Sequence, residues 1–200
     1  VTSMANRSAK FRFHGYSAHA AGAPEKARSS LDAVEAMNFM VNLMREHIPD
    51  GSRIHYVITK GGNAPNVVPD YAEVFYYVRD FDVDILEKLW KRLINTAEAA
   101  ALGTGTKMEY EIIHGNRPVL PNEVAQKVMY DNLVQVGGIS YNRAEKKFAK
   151  EIYKTLIEPS LDLNSAKNIQ PYQFTKGKGS TDVGDVSWKT PTARLRVATW

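Results

Sequence analysis

Between Lys60 and Asp80 the sequence KGGNAPNVVPDYAEVFYYVRD holds an amide, Asn66, and a guanidinium, Arg79, in a setting that restricts both. Gly61 and Gly62 are free to take positive φ. Pro65 and Pro69 fix their own φ and push Ala64 and Val68 toward extended geometry. Asn66 therefore sits on a stiff loop that can hold its amide in place. From Ala72 to Arg79 the residues alternate, with Ala72, Val74, Tyr76 and Val78 on one face and Glu73, Phe75, Tyr77 and Arg79 on the other. This spacing predicts a strand that carries Arg79 at its end, near where the loop residues converge. A third group, His19, lies in YSAHAAGAPEKARSS, a run of small residues interrupted by Gly22 and Pro24. That composition predicts a tight loop with no bulky neighbour to cover the imidazole. Taken singly, these residues also fit an ordinary connection and a solvated arginine.

The elements that must position them follow from periodicity. Lys10 to His14 alternates, with Phe11 and Phe13 facing one way, and reads as a first strand ended by Gly15. Ser29 with Asp32 three residues on opens a helix whose apolar stripe is Leu31, Val34, Met37, Val41, Met44 and Ile48. Arg53 to Thr59 is a second strand, and the stretch ending in Arg79 is the third. A second helix begins near Asp84 and turns Leu86, Trp90, Leu93, Ala97 and Ala101 inward until Gly103. Lys107 to His114 is the fourth strand, with Met108, Tyr110 and Ile112 toward the core. The order β-α-β-β-α-β over roughly residues 8–116 predicts an α+β, ferredoxin-like domain: a four-stranded antiparallel sheet with both helices on one face. Its other face must meet solvent, another domain or another subunit, and its edges invite a second copy.

Beyond Asn116-Arg117-Pro118 the pattern changes. A helix from Pro121-Asn122 to Val134 and another from Arg143 to Ile157 are followed by a polar stretch over 159–180 and a Gly/Ser/Asp-rich turn. A terminal strand of Leu195, Val197 and Thr199 then closes the sequence at Trp200. Residues 117–200 do not read as a self-contained core, but as part of a larger domain.

Composition narrows the classes. Zero cysteines among 200 residues exclude a disulfide scaffold, thiolate metal ligands and a cysteine nucleophile. The net charge of +4 is too small an excess to argue for nucleic acid. The densest basic segment, RAEKKFAKEIYK, interleaves Glu145 and Glu151 at helical spacing and reads as a solvated helix face. No run approaches the roughly 18 apolar residues of a membrane span. The polar start VTSMANRSAK lacks a signal-peptide core, so the expectation is a cytoplasmic protein without a membrane partner.

Three motifs in order, HGYSAHAAGAPEKARSSLDAVEAMN, GGNAPNVVPDYAEVFYYVRD and GSTDVGDVSW, resemble the aminoacylase and carboxypeptidase-like family of metal-dependent amidohydrolases. The resemblance implies that residues 8–116 are a lid and dimerisation domain, and that 117–200 return into an α/β catalytic domain. It implies a homodimer acting on a small acylated amino acid, glutamate foremost, with two divalent metals, zinc or manganese, in the complete enzyme. It assigns His19 to a lid histidine that reaches across the dimer to stabilise an oxyanion. Asn66 falls on a substrate-binding loop asparagine and Arg79 on a strand arginine that receives a substrate carboxylate. Gly179, Ser180 and Asp182 fall on a turn beside the active site.

The departures matter as much. The family's His-x-Asp and Glu-Glu metal pairs do not occur, and His14, His47, His55 and His114 lack ligand spacing. No metal ligand is therefore expected in this chain, which reads as a lid-containing portion without hydrolytic activity of its own. Where many relatives place an aspartate two residues before the arginine, this sequence has Tyr77. A competing reading takes the β-α-β-β-α-β order as a binding or dimerisation module, with Phe11, Phe75 and Tyr77 stacking RNA bases. The third strand EVFYYVRD lacks the Gly- and aromatic-rich pattern of such RNA-binding domains.

Overall fold

In a computed structural model of the protein, residues 2–197 are described. Four strands, β1 (Ala5–His14), β2 (Arg53–Lys60), β3 (Tyr71–Asp80) and β4 (Lys107–Asn116), form one sheet in the order β2-β3-β1-β4. Every neighbouring pair is antiparallel. Two helices, α1 (Ser30–Arg45) and α2 (Val83–Thr104), connect them in the ferredoxin-like order and cover one face of the sheet. The chain divides into two compact units. One comprises Thr2–Val119 and Gly177–Asp185, the other Leu120–Lys176 and residues 186–197.

The first unit is built around β1. Its odd-numbered residues Ala9, Phe11 and Phe13 are fully buried against Ala33, Val34, Met37, Val41, Trp90 and Leu93 of the helices and Val74, Tyr76 and Val78 of β3. Phe11 is the centre of an aromatic cluster, edge-on to Tyr76 with centroids 5.8 Å apart and stacked on Tyr110 at 5.5 Å. The buried hydroxyl of Tyr76 donates to Asn38 Oδ1, so the one phenol in this core is paired.

Several boundaries differ from the sequence reading. Helix α1 is capped by Ser29, whose Oγ accepts from Asp32 N at 3.1 Å, but it ends at Arg45 rather than Ile48. Helix α2 is capped by Asp82, not Asp84: Asp82 Oδ1 accepts from Asp84 N at 2.7 Å and Ile85 N at 3.3 Å. It runs past Gly103 to Gly105, which takes the left-handed conformation at φ 66° that ends helices. On β4, Met108 packs against the core and Tyr110 lays its ring on Phe11, but the strand's core-side residues are not covered. Tyr110 is 42% and Ile112 54% exposed, because β4 is an edge strand at the margin of the helix layer.

The opposite sheet face carries Asn6, Ser8, Lys10, Arg12 and His14 of β1 beside Arg79, Tyr77, Phe75, Glu73 and Tyr71 of β3. At the His14 end this face is neutralised by ion pairs. Glu73 is only 5% exposed and accepts from Arg12 Nε at 2.8 Å and Thr59 Oγ1 at 2.7 Å, with Lys10 Nζ 3.2 Å away. Arg12 also reaches Glu111 at 2.6 Å.

In the second unit, α3 (Glu123–Val136) starts at the Asn122 cap and α4 (Arg143–Tyr153) at a full capping box between Asn142 and Glu145. Helix α4 ends four residues before the expected Ile157. A further short helix, α5 (Val183–Ser187), occupies the Gly/Ser/Asp-rich turn and begins in the first unit. The expected terminal strand does not form over residues 191–197; instead Arg194 N donates to Gln126 Oε1 at 3.0 Å and Gln126 Nε2 donates to Arg194 O at 2.8 Å. Those side-chain bonds take the backbone groups a strand would have needed. Thr199 and Trp200 lie outside the described residues.

Burial pushes the Glu73 carboxyl up, but hydrogen bonds from Arg12, Thr59 and Lys10 outweigh it and hold the pKa at about 2, below the ordinary 4.5. A depressed carboxylate stabilises the fold at pH well above its unfolded pKa and loses that contribution as pH falls through its folded value. Stability is predicted to drop by about 3 kcal/mol between pH 5 and pH 2 through this group. Urea titrations across that range should show a much flatter profile for Glu73→Gln.

Candidate functional site

Two clusters form at opposite ends of the β1-β3 pair. At the first, the antiparallel pairing continues beyond the sheet into the loops. Gly15 N donates to Asp70 O at 2.8 Å, Val68 N to Ala18 O at 3.0 Å and Ala20 N to Asn66 O at 2.9 Å, and His19 bridges Val67. Two glycines permit this. A Cβ on Gly15 would lie 1.9 Å from Arg28 O, where the returning loop pairs with Tyr16. Gly62 sits at φ 103°, a conformation that favours glycine.

His19 is exposed, and its Nδ1 accepts from the backbone N–H groups of Ala21 at 3.2 Å and Gly22 at 3.1 Å. An imidazole whose Nδ1 accepts must carry its proton on Nε2 when neutral, so the ring presents an N–H outward. Asn66 stands beside it, exposed, and its side-chain amide makes no hydrogen bond within the described residues. The chemistry available at this end is donation: one imidazole N–H and one amide on a braced pair of loops.

The second cluster lies at the other end of β3. Arg79 faces the open side of the sheet in one cross-strand row with Asn6 of β1, Arg53 of β2 and, through Asn6, Asn116 of β4. Its guanidinium lies 5.4 Å from the centroid of Tyr77, whose ring meets His114 edge-on at 5.1 Å; His114 Nδ1 is 3.0 Å from Ser8 Oγ. Tyr77 thus braces Arg79 by a cation-π contact without neutralising it, where an aspartate would have done both. The turn that follows Gly177 packs here too. Met4 N donates to Gly179 O at 2.9 Å, and Asn116 Nδ2 to Thr181 O at 3.1 Å. Ser180 Oγ, Arg79 Nε and Asn6 Oδ1 are all buried without a hydrogen-bond partner. Asp182 is exposed; its carboxylate accepts from Thr181 Oγ1 at 3.3 Å and its carbonyl from Asp185 N.

The structure therefore brings His19 to Asn66, and the turn that carries Gly179 and Thr181 to Met4 and to Asn116, which lies in the row of Arg79, but it does not bring the loop to Arg79 as expected. From Tyr71 to Arg79 the strand rises about 26 Å at roughly 3.3 Å per residue, and the loop pairing carries His19 and Asn66 farther in the same direction. The alternation placed Arg79 on the correct strand. Its direction relative to the loop was lost because a strand leaves the loop behind as it extends. Asn6, Arg53 and His114 were not singled out from the sequence. Asn6 and Ser8 share the alternation of Lys10, Arg12 and His14, a signal hidden by starting the first strand at Lys10.

No group of three His, Cys, Asp or Glu side chains able to hold a metal gathers among the described residues, and no helix among them is long and apolar enough to cross a membrane.

Comparison with known proteins gives the context. Residues 4–105 match the family described as Peptidase dimerisation domain. The chain is 37% identical to a p-aminobenzoyl-glutamate hydrolase polypeptide of Escherichia coli (strain K12), covering 96% of this chain and 45% of that protein. It thus spans less than half the length of that relative. Among solved structures, an amidase of the hydantoinase/carbamoylase family from Burkholderia multivorans superposes with TM-score 0.62 at 16% identity, over 93% of this chain and 38% of the other. An aminobenzoyl-glutamate utilization protein from Klebsiella pneumoniae does so with TM-score 0.53 at 23% identity, over 64% and 33%. At these identities the structural likeness concerns the fold.

The loop geometry makes a spectroscopic prediction. Nitrogen-15 correlation spectra at pH 8 should show His19 as the Nε2–H tautomer, with Nδ1 unprotonated. A dominant Nδ1–H form would contradict the turn described here.

Proposed function

Because the chain belongs to the peptidase dimerisation domain family, we propose that it is the lid and part of the catalytic domain of an amidohydrolase acting as a homodimer. The substrate is an amide joining an amino acid to an acyl or aryl group, with glutamate as the amino acid, as in p-aminobenzoyl-glutamate. No group of side chains able to hold a metal gathers among the described residues. In this reading the metal pair, zinc or manganese, is held by the remainder of a longer enzyme, and this chain alone does not hydrolyse amides. Residues 8–116 act as the lid and 117–200 as the catalytic-domain return.

The observation that carries the reading is the His19 ring. Its Nδ1 is occupied by two backbone N–H groups, so Nε2–H is aimed outward and costs little to reorganise when negative charge develops on a carbonyl oxygen. A donor of this kind contributes about 3–4 kcal/mol to an acyl-transfer barrier. Asn66 holds the same carbonyl region, and Arg79, with a planar fork and no carboxylate partner among the described residues, takes the substrate carboxylate. Ser180 and Gly179 border that position, and Asp182 lies on the same turn.

The separation of His19 from Arg79 fits this only if the two act from different copies: one subunit contributes His19 and Asn66, its partner contributes Arg79. Nucleic acid is not a partner in this reading, since Lys10 and Arg12 are already paired with Glu73 and Glu111 on the face that would have to bind it. A cytoplasmic location is part of the same reading.

In the complete enzyme, His19→Ala is expected to lower kcat about 100- to 1000-fold with little change in KM. Arg79→Gln is expected to act mainly by raising KM. Steady-state kinetics on an N-acylglutamate would check both, and an unchanged kcat in His19→Ala would remove the proposed donor.

A further inference from the structure

The row that holds Arg79 contains a second arginine that the proposed reading does not use. Arg53 and Arg79 are direct cross-strand partners on the open face of β2 and β3. Directly opposed residues of an antiparallel pair have Cβ atoms about 4.5–5.5 Å apart, and like charges there are destabilising. Neither guanidinium has a carboxylate within ion-pair distance among the described residues. Arg53 Nη1 donates only to backbone carbonyls, of Asp50 at 2.7 Å and Ser52 at 2.6 Å. The nearest buried acid, Asp80, is committed elsewhere: its Oδ2 accepts from Ser52 Oγ at 2.5 Å and its Oδ1 from Asp82 N at 2.8 Å.

Three further observations mark this row as unfinished. Arg79 Nε is buried without an acceptor. Asn6, only 2% exposed and next in the row, has an Oδ1 without a donor. Partial desolvation, with the positive charges of Arg79, Arg45 and Arg53 behind it, lowers the pKa of His55 below its ordinary value, so the surrounding field is positive. The contrast with the other end of the same face is direct, since there Lys10 and Arg12 share Glu73 and Glu111. An unpaired donor and a like-charged pair carry a cost that an anion with two charged groups removes.

We infer that Arg53 and Arg79 together form a two-guanidinium site for an N-acylated amino acid with an acidic side chain, Arg79 taking one carboxylate and Arg53 the other. The two arginines are direct cross-strand partners on one face, as two carboxylates of one small ligand require, and Asn6 Oδ1 supplies an acceptor for the amide N–H between the acyl group and the amino acid. Arg53 is thus a specificity residue: it separates dicarboxylate from monocarboxylate substrates. This rests on the reading of Arg79 as a carboxylate receptor. The Ser52–Asp80 bond, which ties the start of β2 to the end of β3, holds the two arginines side by side.

The test compares N-acetylglutamate with N-acetylglutamine, which differ by one carboxylate, in titrations of this chain followed through arginine Nε–Hε resonances. N-acetylglutamate is expected to bind about 10-fold tighter or more, the usual return of a charge-assisted hydrogen bond. The preference should collapse to within about twofold in Arg53→Gln and be partly rescued in Arg53→Lys, which keeps the charge but not the fork. Arg79→Gln should abolish binding of both. Equal affinity for the two ligands in the unaltered chain, or a preference that survives Arg53→Gln, would overturn the role of Arg53 while leaving Arg79 as a carboxylate receptor. Binding of neither ligand would overturn both.

Discussion

The antiparallel register of β1 against β3 is the constraint on which the rest depends. Ten residue pairs from Ala5–Asp80 to His14–Tyr71 set the sheet, and the same pairing runs on through Gly15–Asp70 and Ala18–Val68 to His19–Val67. One ladder thereby fixes the core, because it sends Phe11, Phe13, Val74 and Tyr76 to the helix face. It also fixes the distance between the two groups of candidate site residues. The loops cannot fold back toward Arg79 without breaking the bonds that brace His19. A single site that used both groups would therefore need two copies of the chain.

The open face divides its charges along that ladder. Near His14, acids and bases are matched, and Glu73 is held ionised by three donors despite its burial. Near Ala5, two arginines face one another with no acid to share among the described residues, braced by an aromatic ring and a backbone turn. Matched charges on a sheet give register and solubility. Unmatched ones cost stability and are informative about ligands, since the missing counter-charge must come from outside the described residues. On the helix face the buried phenol of Tyr76 is paired with Asn38, and half-buried Arg7 is paired with Glu87.

Much of the ferredoxin-like unit was legible because its periods are clean. Alternation in β3 and the three-and-four stripes of α1 and α2 buried the residues expected, with Leu31 and Ile48 at the ends of the α1 stripe only half-buried. Element ends were harder. Asp82 and Asp84 are both acceptable caps in sequence, and the backbone chose the first; Gly103 and Gly105 are both acceptable stops, and only Gly105 took the left-handed turn. Exposure of Tyr110 and Ile112 was not legible at all, because alternation identifies a face but not whether the helix layer extends over it. The candidate site was drawn from residue type and resemblance, at His19, Asn66, Arg79 and the turn at Ser180. Its geometry was not. Distances along a strand and cross-strand partners such as Arg53 and Asn6 depend on register, which no single strand encodes.

The most direct test of the two-copy account is complementation in the complete enzyme between subunits carrying His19→Ala and subunits carrying Arg79→Gln, assayed at substrate far below KM, where each variant alone turns over little. If His19 and Arg79 of one active site come from different chains, a mixed dimer contains one intact site and one doubly altered site. Random mixing should then restore roughly a quarter of the unaltered activity in a two-fold symmetric dimer. If both groups come from the same chain, every site in every dimer carries a lesion, and mixing would restore nothing. That result would contradict the account.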